Sequence, residues 1–119
     1  MARRRSRRVT DLVQGSVVWA WLDPHVGREQ SGRRPVVVIS SDGYIDVVTT
    51  LLVVVPVSRN DRGWPNHVRL SGVDGLDDSF AITEQPRTIS RERLGEPIGR
   101  VDDPCLAEIK RWLRDFLDL

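Results

Sequence analysis

A mainly β fold closed by one C-terminal helix, a small barrel or strongly bent antiparallel sheet, follows from three features of this 119-residue sequence. Short runs rich in valine, isoleucine and threonine recur along the chain, and glycine, proline and aspartate punctuate the intervals between them. One helical periodicity occupies the end. Several short strands with one terminal helix pack as a bent sheet with the helix laid against it. The length suits one domain with a single core. No internal repeat interrupts it.

The first element is a basic arm, residues 1–14, with arginine at positions 3, 4, 5, 7 and 8. Removing those five charges from the formal net charge of +1 leaves the rest of the chain at −4. A body of that sign does not hold nucleic acid by a general positive field, so any such site must be a local groove built from a few arginines. The arm itself reads as a flexible tail. The domain then runs from 15 to 119.

Ser16 to Leu22 reads as a strand with Val17, Trp19 and Trp21 on one face and Val18, Ala20 and Leu22 on the other, apolar on both sides and therefore internal. Val36 to Ser40 is a second strand, followed by turn chemistry at Ser41-Asp42-Gly43. Val47 to Val57 is too β-branched for a helix and reads as a central strand that leaves the sheet or bulges at Pro56, which has no N–H to donate. Asn66 to Leu70 alternates as a half-exposed strand, with His67 and Arg69 on its open face. Phe80–Thr83, Arg87–Ile89 and Ile98–Val101 are shorter strands, and Ser90–Leu94 fits one helical turn. Asp103-Pro104 opens a helix in which Leu106, Ile109, Leu113 and Phe116 recur on one stripe widened by Trp112 and Leu117.

Between the first two strands lies Gly27-Arg28-Glu29-Gln30-Ser31-Gly32-Arg33-Arg34-Pro35. Pro35 restricts Arg34 to an extended conformation at the mouth of an apolar strand, so its permanently charged, fork-shaped guanidinium is held where a phosphate or carboxylate can meet it. The string GREQSGRRPVVVIS, preceded by VVWAWLDP and followed by LLVVVPVS, resembles the MazF/PemK family of toxin endoribonucleases over residues 15–118. That resemblance implies a homodimeric SH3-like barrel of the CcdB/MazF type. It also implies a metal-independent, cofactor-free endoribonuclease that cuts single-stranded RNA at a short sequence, leaving 2′,3′-cyclic phosphate and 5′-hydroxyl ends.

By the same resemblance the catalytic arginine falls on Arg34, its hydroxyl partner on Ser58 and the acidic loop residue on Glu29. Threonine is usual at the Ser58 position; serine keeps the hydroxyl and loses the β-branch that restricts its rotamer. A strand-end serine also caps its own backbone, the ordinary use of that residue. Glu29 suits orientation of Arg34 better than proton abstraction, because flanking arginines depress a carboxyl pKa. RNA contacts fall on Arg28, Gln30 and Arg33 in the first loop, on Trp64 and His67, and on Gln85 and Arg87 in TEQPRT. Trp64, in Gly63-Trp64-Pro65, is the aromatic expected at the surface. The implied partner besides RNA is an antitoxin whose acidic, partly disordered segment lies in the same groove.

No metal-ligand cluster, phosphate-cradling glycine loop or Ser-His-Asp signature is present. The two histidines, His25 and His67, have no spacing that brings them together as an acid–base pair. Cys105 stands alone and reads as a buried small residue. No apolar run reaches the length of a membrane span, which points to the cytoplasm. A CcdB-like gyrase-binding toxin or a non-catalytic nucleic-acid-binding barrel are the alternatives. The former gathers its gyrase contacts in a terminal Trp-Gly-Ile, whereas this chain ends Phe116-Leu117-Asp118-Leu119.

Overall fold

The computed structural model describes residues 11–22 and 32–119. Strand β1 (Ser16–Trp21) pairs antiparallel with β2 (Arg33–Val38), from Val17 opposite Val37 to Trp21 opposite Arg33. After the short helix α1 (Asp42–Val47), β3 (Leu51–Ser58) pairs with the free edge of β2 and takes β6 (Arg87–Ser90) on its other side. One 3-10 turn, Arg91–Arg93, leads from β6 into β7 (Leu94–Arg100), which returns to pair with β1. The order β7-β1-β2-β3-β6 thus comes back on itself as a small barrel. Two register shifts in the β1–β7 pairing supply the bend that such closure needs. Strands β4 (His67–Arg69) and β5 (Phe80–Ile82) form an extension of the sheet, and α2 (Asp103–Leu117) completes the domain.

Pro56 acts as the sequence predicts. It is the last β3 residue to face β2, opposite Val36, and the next two residues, Val57 and Ser58, pair instead with Ala81 and Phe80 of β5. A residue without an N–H tolerates the place where one ladder ends and another begins.

The strands are apolar on both faces because each face has its own core. Val18, Ala20 and Leu22 from β1 and its end, Val36 and Val38 from β2, Leu52 and Val54 from β3, and Ile89 from β6 form one cluster. The residues of opposite parity, Val17, Val37, Val55 and Val57, join Val68, Leu70 and Ala81 and the α2 residues Cys105, Leu106 and Ile109 in a second. The expectation of a single core is corrected accordingly: one sheet separates two clusters. Period-two alternation assigns each strand residue to one or the other.

Other expectations are also corrected. Trp21 is 47% exposed and Trp19 only half-buried, with the Arg33 guanidinium 4.3 Å from its ring centroid. They share a strand face with Val17, yet neither joins the cluster that Val17 forms with the α2 residues. Val47 does not begin a strand, because Ser41 accepts from the Tyr44 amide at 3.1 Å and caps α1, burying Ile45. Gln14, at the end of the expected arm, donates to Asp42 through its backbone N–H and to the Ile39 carbonyl through its amide.

Helix α2 is capped one residue earlier than predicted, by Asp102, whose side chain accepts from the Cys105 amide at 3.0 Å, with Pro104 in the first turn. Gly72 abuts that cap. Its φ is +89°, and a Cβ there would lie 2.7 Å from the Asp102 nitrogen. The apolar stripe of α2 is buried at Leu106 and Ile109 and exposed at Phe116 and Leu117.

Candidate active site

The rows of side chains that fill the barrel interior turn polar at one end. Following Val38 and Val36 along β2, the next residue on that face is Arg34. Following Leu52, Val54 and Pro56 along β3, it is Ser58. The β2–β3 register ends at Val36 opposite Pro56, and Arg34 and Ser58, the next residues on that face of each strand, both line one cleft. On β6, Arg87 lies beyond Ile89 in the same way, and its guanidinium donates to the Leu22 carbonyl at 3.0 Å. These residues open into a cleft of about 570 Å³, whose far wall carries Asn60, Arg62 and Trp64 from the β3–β4 connection and Ile82, Glu84 and Gln85 from the end of β5.

Arg34 is exposed, lines the cleft and has no hydrogen-bond or ion-pair partner among the described residues. The Ser58 hydroxyl accepts from the Asn60 amide at 3.0 Å. This is the backbone-capping use of a strand-end serine, and it fixes the oxygen while leaving its O–H available to donate. Trp64, 45% exposed, meets the expectation of a surface aromatic, with Arg62 5.8 Å from its ring centroid. Gln85 and Arg87 line the cleft, whereas Arg33 is not among its walls, because the residue next to Arg34 in a strand projects to the opposite face. Arg28, Glu29, Gln30 and His25 lie outside the described residues.

His67 departs from expectation. It is not on an open face: its side chain is 2% exposed, beneath Trp64, with ring centroids 5.0 Å apart. Its Nε2 lies 3.0 and 3.1 Å from the two Glu84 oxygens, and the Asn66 side-chain amide donates to Glu84 Oε1 at 2.7 Å. Asn66 is itself bound by Thr83, whose hydroxyl donates to the Asn66 carbonyl at 2.7 Å. Burial pushes the Glu84 carboxyl up, but the hydrogen bonds from His67, the Glu84 backbone and Asn66, with the charge interaction to His67, outweigh it and hold the pKa below 4.5. Glu84 is therefore ionised at neutral pH, and His67 Nε2 carries a proton toward it.

Glu84, Asn66, Asn60 and Arg62 were not singled out in the sequence. Glu84 adjoins Gln85 in TEQPRT, but nothing in spacing ties it to His67, seventeen residues away. Cys105 is buried, which pushes its thiol above the ordinary range and leaves it inert. No cluster of three metal-ligating side chains occurs among the described residues. No helix there is long and apolar enough to cross a membrane.

The barrel and its arginine-lined mouth define a small β-barrel with a groove suited to a polyanion. Comparison with known proteins then gives the family. Residues 13–117 match the family described as PemK-like, MazF-like toxin of type II toxin-antitoxin system. The chain is 40% identical to endoribonuclease MazF9 of Mycobacterium tuberculosis, over 89% of this chain and 96% of that protein. It is 35% identical to endoribonuclease PemK of Escherichia coli, over 98% and 90% respectively. Its fold superposes on a MazE-MazF crystal structure from Deinococcus radiodurans with a TM-score of 0.79 at 30% identity, covering 95% of this chain and 99% of that one. The protein belongs to the PemK/MazF toxin family.

Proposed function

We propose that this toxin is a homodimeric, metal-independent endoribonuclease that cleaves single-stranded RNA at a short sequence in the cytoplasm. The RNA 2′-oxygen forms a bond to the adjacent phosphorus as its proton passes to water, and the bond to the 5′-oxygen breaks as that oxygen takes a proton from water, giving a 2′,3′-cyclic phosphate and a 5′-hydroxyl. Arg34 neutralises the charge that gathers on the phosphate oxygens, and Ser58 donates a hydrogen bond to one of them. Glu29 orients Arg34. Arg87 and Arg62 hold flanking phosphates, and Trp64 stacks on an unpaired base. Arg28 and Gln30 take RNA contacts from the first loop.

What supports this reading is that Arg34, without a partner among the described residues, and Ser58 line one cleft, each lying just past the last β2–β3 pair, Val36 opposite Pro56. The same cationic groove suits an acidic antitoxin segment, and the fold is similar to that of a MazE-MazF structure. The test is incubation with single-stranded RNA in excess EDTA, followed by chemical identification of both new ends. Cyclic phosphate and 5′-hydroxyl termini are expected. RNA left intact at high protein concentration overturns the reading, and binding that survives Arg34→Ala without any cleavage by the parent marks a non-catalytic RNA-binding barrel.

A further inference from the structure

The ends of β1 and β2 present two faces. Leu22 and Arg34 line the cleft, and the residues beside them, Trp21 and Arg33, project to the opposite side of the sheet. Trp21 and Arg33 stand directly opposite each other in the β1–β2 register, so their side chains are neighbours. The Arg33 guanidinium lies 4.3 Å from the centroid of the Trp19 ring, which fixes the arginine on a half-buried tryptophan and leaves Trp21, 47% exposed, beside it. Arg93 reaches the same strand end from the turn after β6, its guanidinium donating to the Trp21 carbonyl at 3.0 Å. Arg87 makes the matching bond to the Leu22 carbonyl on the cleft side. Arginine thus flanks the end of β1 from both sides, and neither Arg33 nor Arg93 has an ion-pair partner among the described residues.

An exposed indole beside two arginines suits a single-stranded polynucleotide, whose bases stack on the ring while its phosphates meet the guanidinium groups. The domain offers a polyanion no general attraction, since the chain without the five arginines of the arm carries −4. RNA is therefore held where arginines gather, and they gather from the cleft round the end of β1 to Trp21. A second copy of the chain is a poorer occupant, because a two-fold interface sets the same patch against itself and brings unpaired guanidinium groups of like charge together. We propose that RNA leaving the cleft crosses this strand end and stacks one unpaired base, outside the recognised sequence, on Trp21, with Arg33 and Arg93 meeting the flanking phosphates. Every base has a π face, so the contact adds affinity without reading sequence. This inference rests on the nuclease proposed above and adds to it a surface that the cleavage step does not use.

The test uses the full-length protein and two single-stranded RNAs, one confined to the mapped cut sequence and one extended by unstructured nucleotides on both sides. Trp21→Ala raises KM for the extended RNA by about 5- to 150-fold, the range for one stacked base, while kcat, the cut sequence and KM for the short RNA stay those of the parent. Trp21→Phe keeps a ring and restores most of the loss. Equal KM values for the extended RNA in parent and Trp21→Ala overturn the surface and leave the nuclease standing. An equal loss on both RNAs does the same, because it places the effect inside the cleft. A parent that cuts neither RNA, yet binds a fluorescein-labelled extended strand more tightly than Trp21→Ala does, keeps the surface and removes the nuclease. Sedimentation of both proteins gives the remaining outcome: a dimer lost with the indole assigns this face to a second copy and overturns the proposal. Matching melting temperatures of parent and Trp21→Ala establish that the comparison is between folded proteins.

Discussion

Ser58 separates two uses of one hydroxyl, and truncating it tests which of them matters. In Ser58→Ala the Asn60 amide loses its acceptor, but Asn60 is exposed and water replaces the bond, so the loss of stability lies at or below about 0.5–1 kcal/mol. The lost interaction with the reacting phosphate is a hydrogen bond to a charged group, about 1.5–3 kcal/mol, which is about 10- to 150-fold in rate. Ser58→Thr keeps both the acceptor and the donor and adds a β-branch that restricts the rotamer, so it retains or raises the rate. The assay is single-turnover cleavage of a short single-stranded RNA in EDTA at saturating protein, with melting temperatures recorded in parallel. An alanine variant that cleaves as fast as the parent would refute a catalytic part for Ser58. So would a rate loss that the threonine variant shares.

Three further outcomes are expected. Arg34→Ala removes the charge that shares the cleft with Ser58 and lowers kcat by about 10²- to 10³-fold, with Arg34→Lys intermediate because an ammonium keeps the charge and loses the fork; single-turnover rates check this, and equal rates for alanine and parent exclude the role. The pH dependence of stability has a definite sign at Glu84, whose folded pKa is depressed: its contribution is present above the unfolded value near 4.5 and is lost as pH falls through the lower folded value. Urea midpoints of the parent therefore fall more steeply than those of Glu84→Gln between neutral pH and the region below 4.5, and parallel curves count against the pairing with His67. Gly72→Ala meets both a φ of +89° and a Cβ 2.7 Å from the Asp102 nitrogen, so it destabilises the domain by more than about 1 kcal/mol, read as a lowered melting temperature.

Much of the barrel was legible because strand residues obey a period of two, and a sheet with an apolar cluster on each face writes that period as unbroken valine runs. Pro56 marked the change of partner, and Asp102 to Pro104 marked the start of α2 to within one residue. Errors arose where a local cap competed with β-propensity, as at Ser41, and where an apolar strand face continued past the cluster that buries it, as at Trp21. The candidate arginine and hydroxyl were found through resemblance to a family motif, since no spacing rule links positions 34 and 58.

By itself the sequence determined the composition of each strand face, the fixed charge at Arg34, the break at Pro56 and the family. Only the folded chain decided that Arg34 and Ser58 share a cleft, that His67 is buried beneath Trp64, and that Glu84 presents a fixed acceptor to the cleft. The physical reason is that alternation and capping act over a few residues, whereas these contacts join strands distant in sequence. Their geometry is set by sheet register and barrel closure, to which every core residue contributes at once.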